Sequence, residues 1–235
     1  MSRPLLRLLL AASCLLAGGC VLMARPVDPR PADVIVAQAE ELVDRRAYAQ
    51  AAELYAAAIV KQPDNGSYYL RRSELLEAIG HDKEARVTYR EALPRLAKGS
   101  SERIEVIYRL ALISAEHMHD MELAEELLMQ LPTGSLQRLD LTGYFYFLTN
   151  QHEESIPIFN QALVVARTGD QKASVLYHAA QVYDALKDEK NAVTSLYLAI
   201  NNATHLGLIR DISALWTRVS GNQVLPNPPD GAQSP

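Results

Sequence analysis

The sequence predicts an all-α solenoid built from paired helices, and three observations predict it. Ala51, Tyr55 and Ala58 recur 34 residues later as Ala85, Tyr89 and Ala92, and Ala39 and Leu42 fall on Ser73 and Leu76 at the same shift. Alanine where leucine would bury more area signals that distance matters: two antiparallel helices approach closely only across small side chains, and leucine at 51 would cost about 1–3 kcal/mol of overpacking. One helix pair cannot bury its apolar face alone, so pairs must stack and stability propagates along the array.

The chain opens with MSRPLLRLLLAASCLLAGGC. Arg3 and Arg7 precede an uncharged run, Leu8 to Gly19, that is shorter than the roughly 20 residues a spanning helix needs. A charged start and a small-residue end are the marks of a secretory signal, so residues 1–19 are left out of the fold. The stretch LAGGC, Leu16 to Cys20, resembles the lipobox of bacterial lipoproteins. That resemblance implies lipidation of Cys20, which becomes the first residue of the mature chain. Cys14 fits less well because Arg7 lies close in front of it; the plainer alternative is an ordinary secreted protein whose signal contains a cysteine. Both cysteines of the chain lie here, which leaves the mature part without an internal disulfide. Two or more acyl chains hold a protein stably on a bilayer.

Residues 20–31 carry Pro26, Pro29 and Pro31 and read as an extended tether. Residues 221–235, ending VLPNPPDGAQSP, have no apolar periodicity and read as a disordered tail. Of 23 basic and 28 acidic residues, the signal removes two basic ones, so the mature charge is 21 − 28 = −7. This mildly acidic balance without a Lys/Arg stripe argues against nucleic acid and against flat adsorption on anionic lipid.

Residues 32–220 hold the array. The 34-residue recurrence of Ala51, Tyr55 and Ala58 resembles the tetratricopeptide repeat, whose pattern asks for a small residue at positions 8 and 20, a large one at 11 and 24, alanine at 27 and often proline at 32. The first copy, Ala32 to Asn65, supplies Ala39, Leu42, Ala51, Tyr55 and Ala58, then Pro63. The second, Gly66 to Gly99, supplies Ser73, Leu76, Ala85, Tyr89 and Ala92, with Gly80 in its turn and Pro94 ending its second helix early. The third is looser: Leu110 and Ala111 open it, Ala124 and Leu128 continue it, Leu131-Pro132 closes it, and an extra residue sits in the HMHD turn. The fourth supplies Gly143, Tyr146, Ser155, Phe159 and Ala162; the fifth supplies Ala180, Tyr183, Ala192, Leu196 and Ala199. Position-20 residues are spaced 34, 39, 31 and 37 apart, so only the first interval is ideal. The pattern resembles the tetratricopeptide repeat over about residues 32–205. After it, HLGLIRDISALWTRV places Leu208, Ile212, Leu215 and Val219 on one helical face, a capping helix for the fifth repeat. Trp216 is expected to join that packing.

In proteins of this family the first helices line a concave groove through positions 2, 5, 9 and 12. Carried over, the groove is acidic at its start, with Glu40, Glu74 and Glu77, and aromatic later, with Tyr108, Tyr144, Phe147 and Tyr177 beside Gln181. The resemblance implies a partner peptide held there by aromatic anchors. A loop or the C-terminal tail covering Tyr144 and Phe147 as extra core is the equal alternative. The acids at position 9 would repel a C-terminal carboxylate, which sets aside the clamp of chaperone-binding relatives.

Catalytic signals are few. His117, His119 and Asp120 form a turn cluster short of the oriented ligands a metal site needs. Adjacent acid pairs such as Glu125 and Glu126 point about 100° apart on a helix and cannot share a proton. His152 reads as a turn residue and His178 as a packed one. The sequence thus leads to a lipid-anchored adaptor in the cell envelope, on the periplasmic side of the outer membrane, that binds a protein partner during assembly of a pilus, secretion or outer-membrane machine. It implies no enzyme activity, cofactor, metal, nucleic acid or small-molecule substrate; the alternative role is an accessory regulator of a cell-wall or exopolysaccharide enzyme.

Overall fold

The computed structural model describes residues 28–116 and 119–221. Among them are eleven α-helices and no strand. They run α1 (Ala32–Asp44), α2 (Tyr48–Lys61), α3 (Gly66–Ala78), α4 (Asp82–Ala92), α5 (Ser101–Glu116), α6 (Met121–Gln130), α7 (Leu136–Leu148), α8 (His152–Val165), α9 (Gly169–Ala185), α10 (Glu189–Ile200) and α11 (Leu206–Val219). The first ten form five hairpins. From α3 onward, successive first helices touch one another, whereas second helices touch only their sequence neighbours. The stack therefore curves, with the first helices on its inner side.

The small residues sit where the 34-residue register puts them. Ala39 and Ala51, Ser73 and Ala85, Ala111 and Ala124, Gly143 and Ser155, and Ala180 and Ala192 are all buried. At position 24, Tyr55, Tyr89, Phe159 and Leu196 are buried as expected. Leu128 departs from the pattern: it is half-buried, and its neighbour Leu127 takes the core place. The cause is α6, which has only ten residues and meets α7 along the slightest of the seams between consecutive helices.

Four hairpin turns close in one way. Arg46, Gly80, Asn150 and Lys187 adopt the left-handed conformation, with φ of 59°, 76°, 61° and 61°. The next amide then reaches back five residues, as Ala47 to the Leu42 carbonyl and His81 to the Leu76 carbonyl, both at 2.8 Å. The entry into α6 is built differently. The Asp120 amide donates to the Ser114 carbonyl at 2.9 Å, and its carboxylate caps α6 through the Leu123 amide at 3.3 Å. Pro94 stops α4 at Ala92, and the chain leaves through a short 3₁₀ turn at Leu93–Arg95.

Helix α11 caps the fifth hairpin, with Ile212, Leu215 and Trp216 buried against Leu196, Ala199 and Ile200. It does more than cap. The array curls so far that α11 also reaches α3, where the Arg210 Nη1 donates to the Glu77 carbonyl at 2.9 Å. Gly207 lies at this contact, where a Cβ would meet the Ala78 Cα at an ordinary 3.7 Å and crowd the His205 ring at 3.2 Å. The preceding loop is fixed by Asp170, whose carboxylate accepts from the Thr204 and His205 amides at 2.6 and 3.0 Å.

Candidate partner-binding face

The inner face carries a ladder of charge-assisted bonds within and between repeats. Glu40 of α1 accepts a bidentate pair from Arg71 of α3, at 3.1 Å on each oxygen, and the Tyr55 hydroxyl donates to the same carboxylate. Arg71 also donates to Glu74 at 3.0 Å. One repeat on, the Tyr89 hydroxyl donates to Glu77 at 2.8 Å and Arg109 donates to Glu105 at 2.7 Å. The Arg71 bond holds Glu40 below the usual carboxylate range, while burial lifts Glu74 and pushes Glu77 up to about 7.

Further along, the ladder becomes a buried triad. His178 Nδ1 lies 2.9 Å from Asp140 Oδ1 and 3.1 Å from Oδ2, and the Tyr108 hydroxyl donates to the same carboxylate. Tyr108 is also within 3.1 Å of the Ser174 hydroxyl. Burial disfavours charge on His178, yet the Asp140 carboxylate outweighs it and raises the imidazole's pKa. His205, without such a partner at its ring, is pushed down to about 4 by burial.

The expected groove residues thus divide. Tyr108 and Tyr144 are buried rather than exposed, at 5% and 3% of their surface. The Tyr144 ring lies 4.7 Å from that of His178 and its hydroxyl bonds Glu116, so the exposure expected for Tyr144 is corrected: neighbouring inner helices cover it. Phe147, Tyr177 and Gln181 remain half-buried at the margin. Phe147 stacks between Tyr144 and His152, at 5.7 and 5.5 Å, and the Gln181 amide nitrogen is buried without a hydrogen-bond partner. His178 is packed as expected, whereas His152 opens α8 instead of standing in a turn.

Arg71 and Arg109 escaped the sequence reading. Both occupy position 6 of their copies; Arg71 reaches back to Glu40 of the preceding copy, whereas Arg109 bonds Glu105 one turn earlier on its own helix. His117 and Cys20 lie outside the described residues, among which no cluster of three metal-ligating side chains and no helix long and apolar enough to cross a membrane occurs. Asp120 is engaged with Arg86 and as the α6 cap.

Residues 173–203, the α9–α10 hairpin, match the tetratricopeptide-repeat family model. A chain of the APC/C hetero-tetramer Cut9–Hcn1 superposes with a TM-score of 0.60 at 16% identity, covering 93% of this chain and 44% of that one. This is a tetratricopeptide-repeat fold. Two other solved structures are similar at lower scores. YrrB, described as a tetratricopeptide-repeat protein with an unusual peptide-binding site, has a TM-score of 0.45 at 16% identity and covers 77% of this chain and 90% of its own. MamA has a TM-score of 0.49 at 12% identity, over 82% of this chain and 96% of its own. The chain spans less than half of the Cut9–Hcn1 chain it matches, and no curated protein matches its sequence.

Proposed function

We propose that this protein is a lipid-anchored adaptor that binds a protein partner in the bacterial cell envelope. The observation that carries the reading is the curved stack of five hairpins, whose inner face presents polar and aromatic side chains without a catalytic arrangement among the described residues. Phe147, Tyr177 and Gln181 meet the partner, with Tyr108 and Tyr144 as the buried floor that holds them in place. Cys20 carries the acyl chains, residues 20–31 give reach, and the bilayer is the outer membrane facing the periplasm. The task is assembly of a pilus, secretion or outer-membrane machine, and the protein itself turns over no substrate.

The experiment is a pair of measurements on the protein in cells. Mass spectrometry of the mature amino terminus should find acylated Cys20, and Cys20→Ala should release the protein from membranes. A photo-crosslinking residue at Phe147 or Tyr177 should capture one envelope protein. An unacylated terminus refutes the anchor, and turnover of a substrate by the purified chain refutes the adaptor.

A further inference from the structure

The seam between α6 and α7 differs from the others. At every other copy the position-24 side chain is sealed against the next hairpin; Leu128 is not. Opposite it, Phe145 is half-buried, although the equivalent Leu75, Ile113 and Val182 are buried. Between the two helices runs an apolar groove of about 370 Å³, bounded by Met121, Leu128, Met129, Phe145 and Tyr146, with Glu125 on its rim. Met129 is 69% exposed beside it. The space admits side chains but not a helix backbone, so an occupant lies over the seam and inserts from above.

Charge selects the occupant. From Ala111 to Ala166 the chain carries eight acidic residues and one basic one, Arg138. Asp140 is buried on His178 and Asp120 is paired with Arg86, whereas Glu125 on the groove rim, Glu122 and Glu126 beside it on α6, and Glu153 and Glu154 in the first turn of α8 are exposed. Arg138 is already engaged, donating to the Leu131 carbonyl at 2.9 Å and to the Met129 sulfur at 3.7 Å. An apolar slot with an acidic rim fits an amphipathic helix whose apolar side chains are flanked by cations.

We propose that the α6–α7 seam docks a basic amphipathic helix of a partner protein, apolar side chains entering between Leu128 and Phe145 and Lys or Arg side chains meeting Glu122, Glu125 and Glu126. The inference rests on the adaptor reading but uses the side of the array away from the inner face. It makes the irregular third hairpin the recognition element.

The test uses the full chain and a synthetic peptide of about 14 residues, four helical turns, with leucine on one face and lysine on the other. Fluorescence anisotropy should show binding of this peptide and not of its glutamate counterpart. Met129→Glu and the double variant Glu125→Lys/Glu126→Lys should each weaken binding at least tenfold. Glu91→Lys, on exposed α4 surface, should leave it unchanged, and melting curves of all three variants should match the parent. Equal weakening by Glu91→Lys would mean general charge attraction and overturn the proposal, as would retained binding in both seam variants. A dimer that Met129→Glu converts to monomer would give the seam to a second copy, and binding that rises on deletion of residues 222–235 would give it to the chain's own tail; either overturns the proposal. A cellular partner that crosslinks from Phe147 or Tyr177 but not from Met129 overturns the seam and keeps the adaptor. Peptide binding that follows the variants, with no cellular crosslink from any of these sites, keeps the seam and removes the adaptor.

Discussion

Replacing Asp140 by asparagine should change both how stable the protein is and the sign of its pH dependence. Asp140 and His178 side chains are 2% and 4% exposed, so the pair is screened little by solvent. Removing one partner of such a pair costs about 3–5 kcal/mol when nothing replaces it. Asparagine keeps the volume and can still accept from Tyr108, which reduces the loss to about 2–3 kcal/mol, the worth of the charge-assisted part. That is a large share of the roughly 5–15 kcal/mol that holds a domain folded.

In the parent, His178 has a folded pKa above 6.5, so its contribution is fully present below 6.5 and is lost as pH rises through the raised value. Without the carboxylate, burial remains as the largest influence; Glu116 favours the imidazolium and Arg109 opposes it. The folded pKa then falls below 6.5, and the contribution is present above 6.5 and lost as pH falls. Guanidinium unfolding followed by circular dichroism from about pH 5.5 to 8.5, with the His178 ring titrated by NMR, reads both effects. A loss under about 1 kcal/mol, or a variant that still weakens as pH rises, would refute the argument.

Three further outcomes follow from the same geometry. Lys187→Gly should raise stability by about 0.5–1 kcal/mol in thermal melts, because Lys187 holds φ 61° at a turn where glycine meets no Cβ penalty; a lower melting temperature would count against the turn as described. Gly143→Ala should lower the melting temperature, since the new Cβ would stand 2.8 Å from Phe159 Cε1, and overpacking of about 1–3 kcal/mol exceeds the gain of about 1 kcal/mol in helix propensity. Glu77, with its pKa raised to about 7, is protonated in the folded state and ionised in the unfolded state between its ordinary 4.5 and 7. Stability therefore falls as pH rises across that window, by at most about 3 kcal/mol and nearer 1 kcal/mol given the residue's partial exposure, and Glu77→Gln should flatten the slope.

The close contacts within hairpins were legible because they depend on single residue types at fixed register: Ala51, Ala85 and Ala192 had to be small wherever the next hairpin went. The capping face of α11 was legible for the same reason, as Ile212 and Leu215 follow a helical period. The closure of α11 onto α3 was not. It depends on small rotations that add up over five hairpins, and no residue between Ala32 and Val219 records that sum. The ladder was half legible: the acids at Glu40 and Glu74 were read as groove charge, but their partner Arg71 reaches them from position 6, outside the groove template. Tyr144 shows the converse, since its position pointed inward correctly while its burial depended on neighbours brought close by the curl.

The uneven spacing of the copies bears on the α6–α7 seam directly. An interval of 39 residues, then one of 31, brackets the third hairpin, whose first helix has sixteen residues and whose second has ten. At about 1.5 Å per residue, α6 is some 4–5 Å shorter than the thirteen-residue α7 it should cover. In an antiparallel pair joined at Leu131–Ser135, that shortfall falls at the far end, beside Met121, which is where Tyr146 and Thr149 line the groove. Filling the seam from within would need one more apolar turn at the start of α6, which Asp120 instead caps. The groove is therefore a consequence of helix length rather than of a poorly chosen side chain, so changing Leu128 or Phe145 to a larger residue would fill the slot without closing the seam.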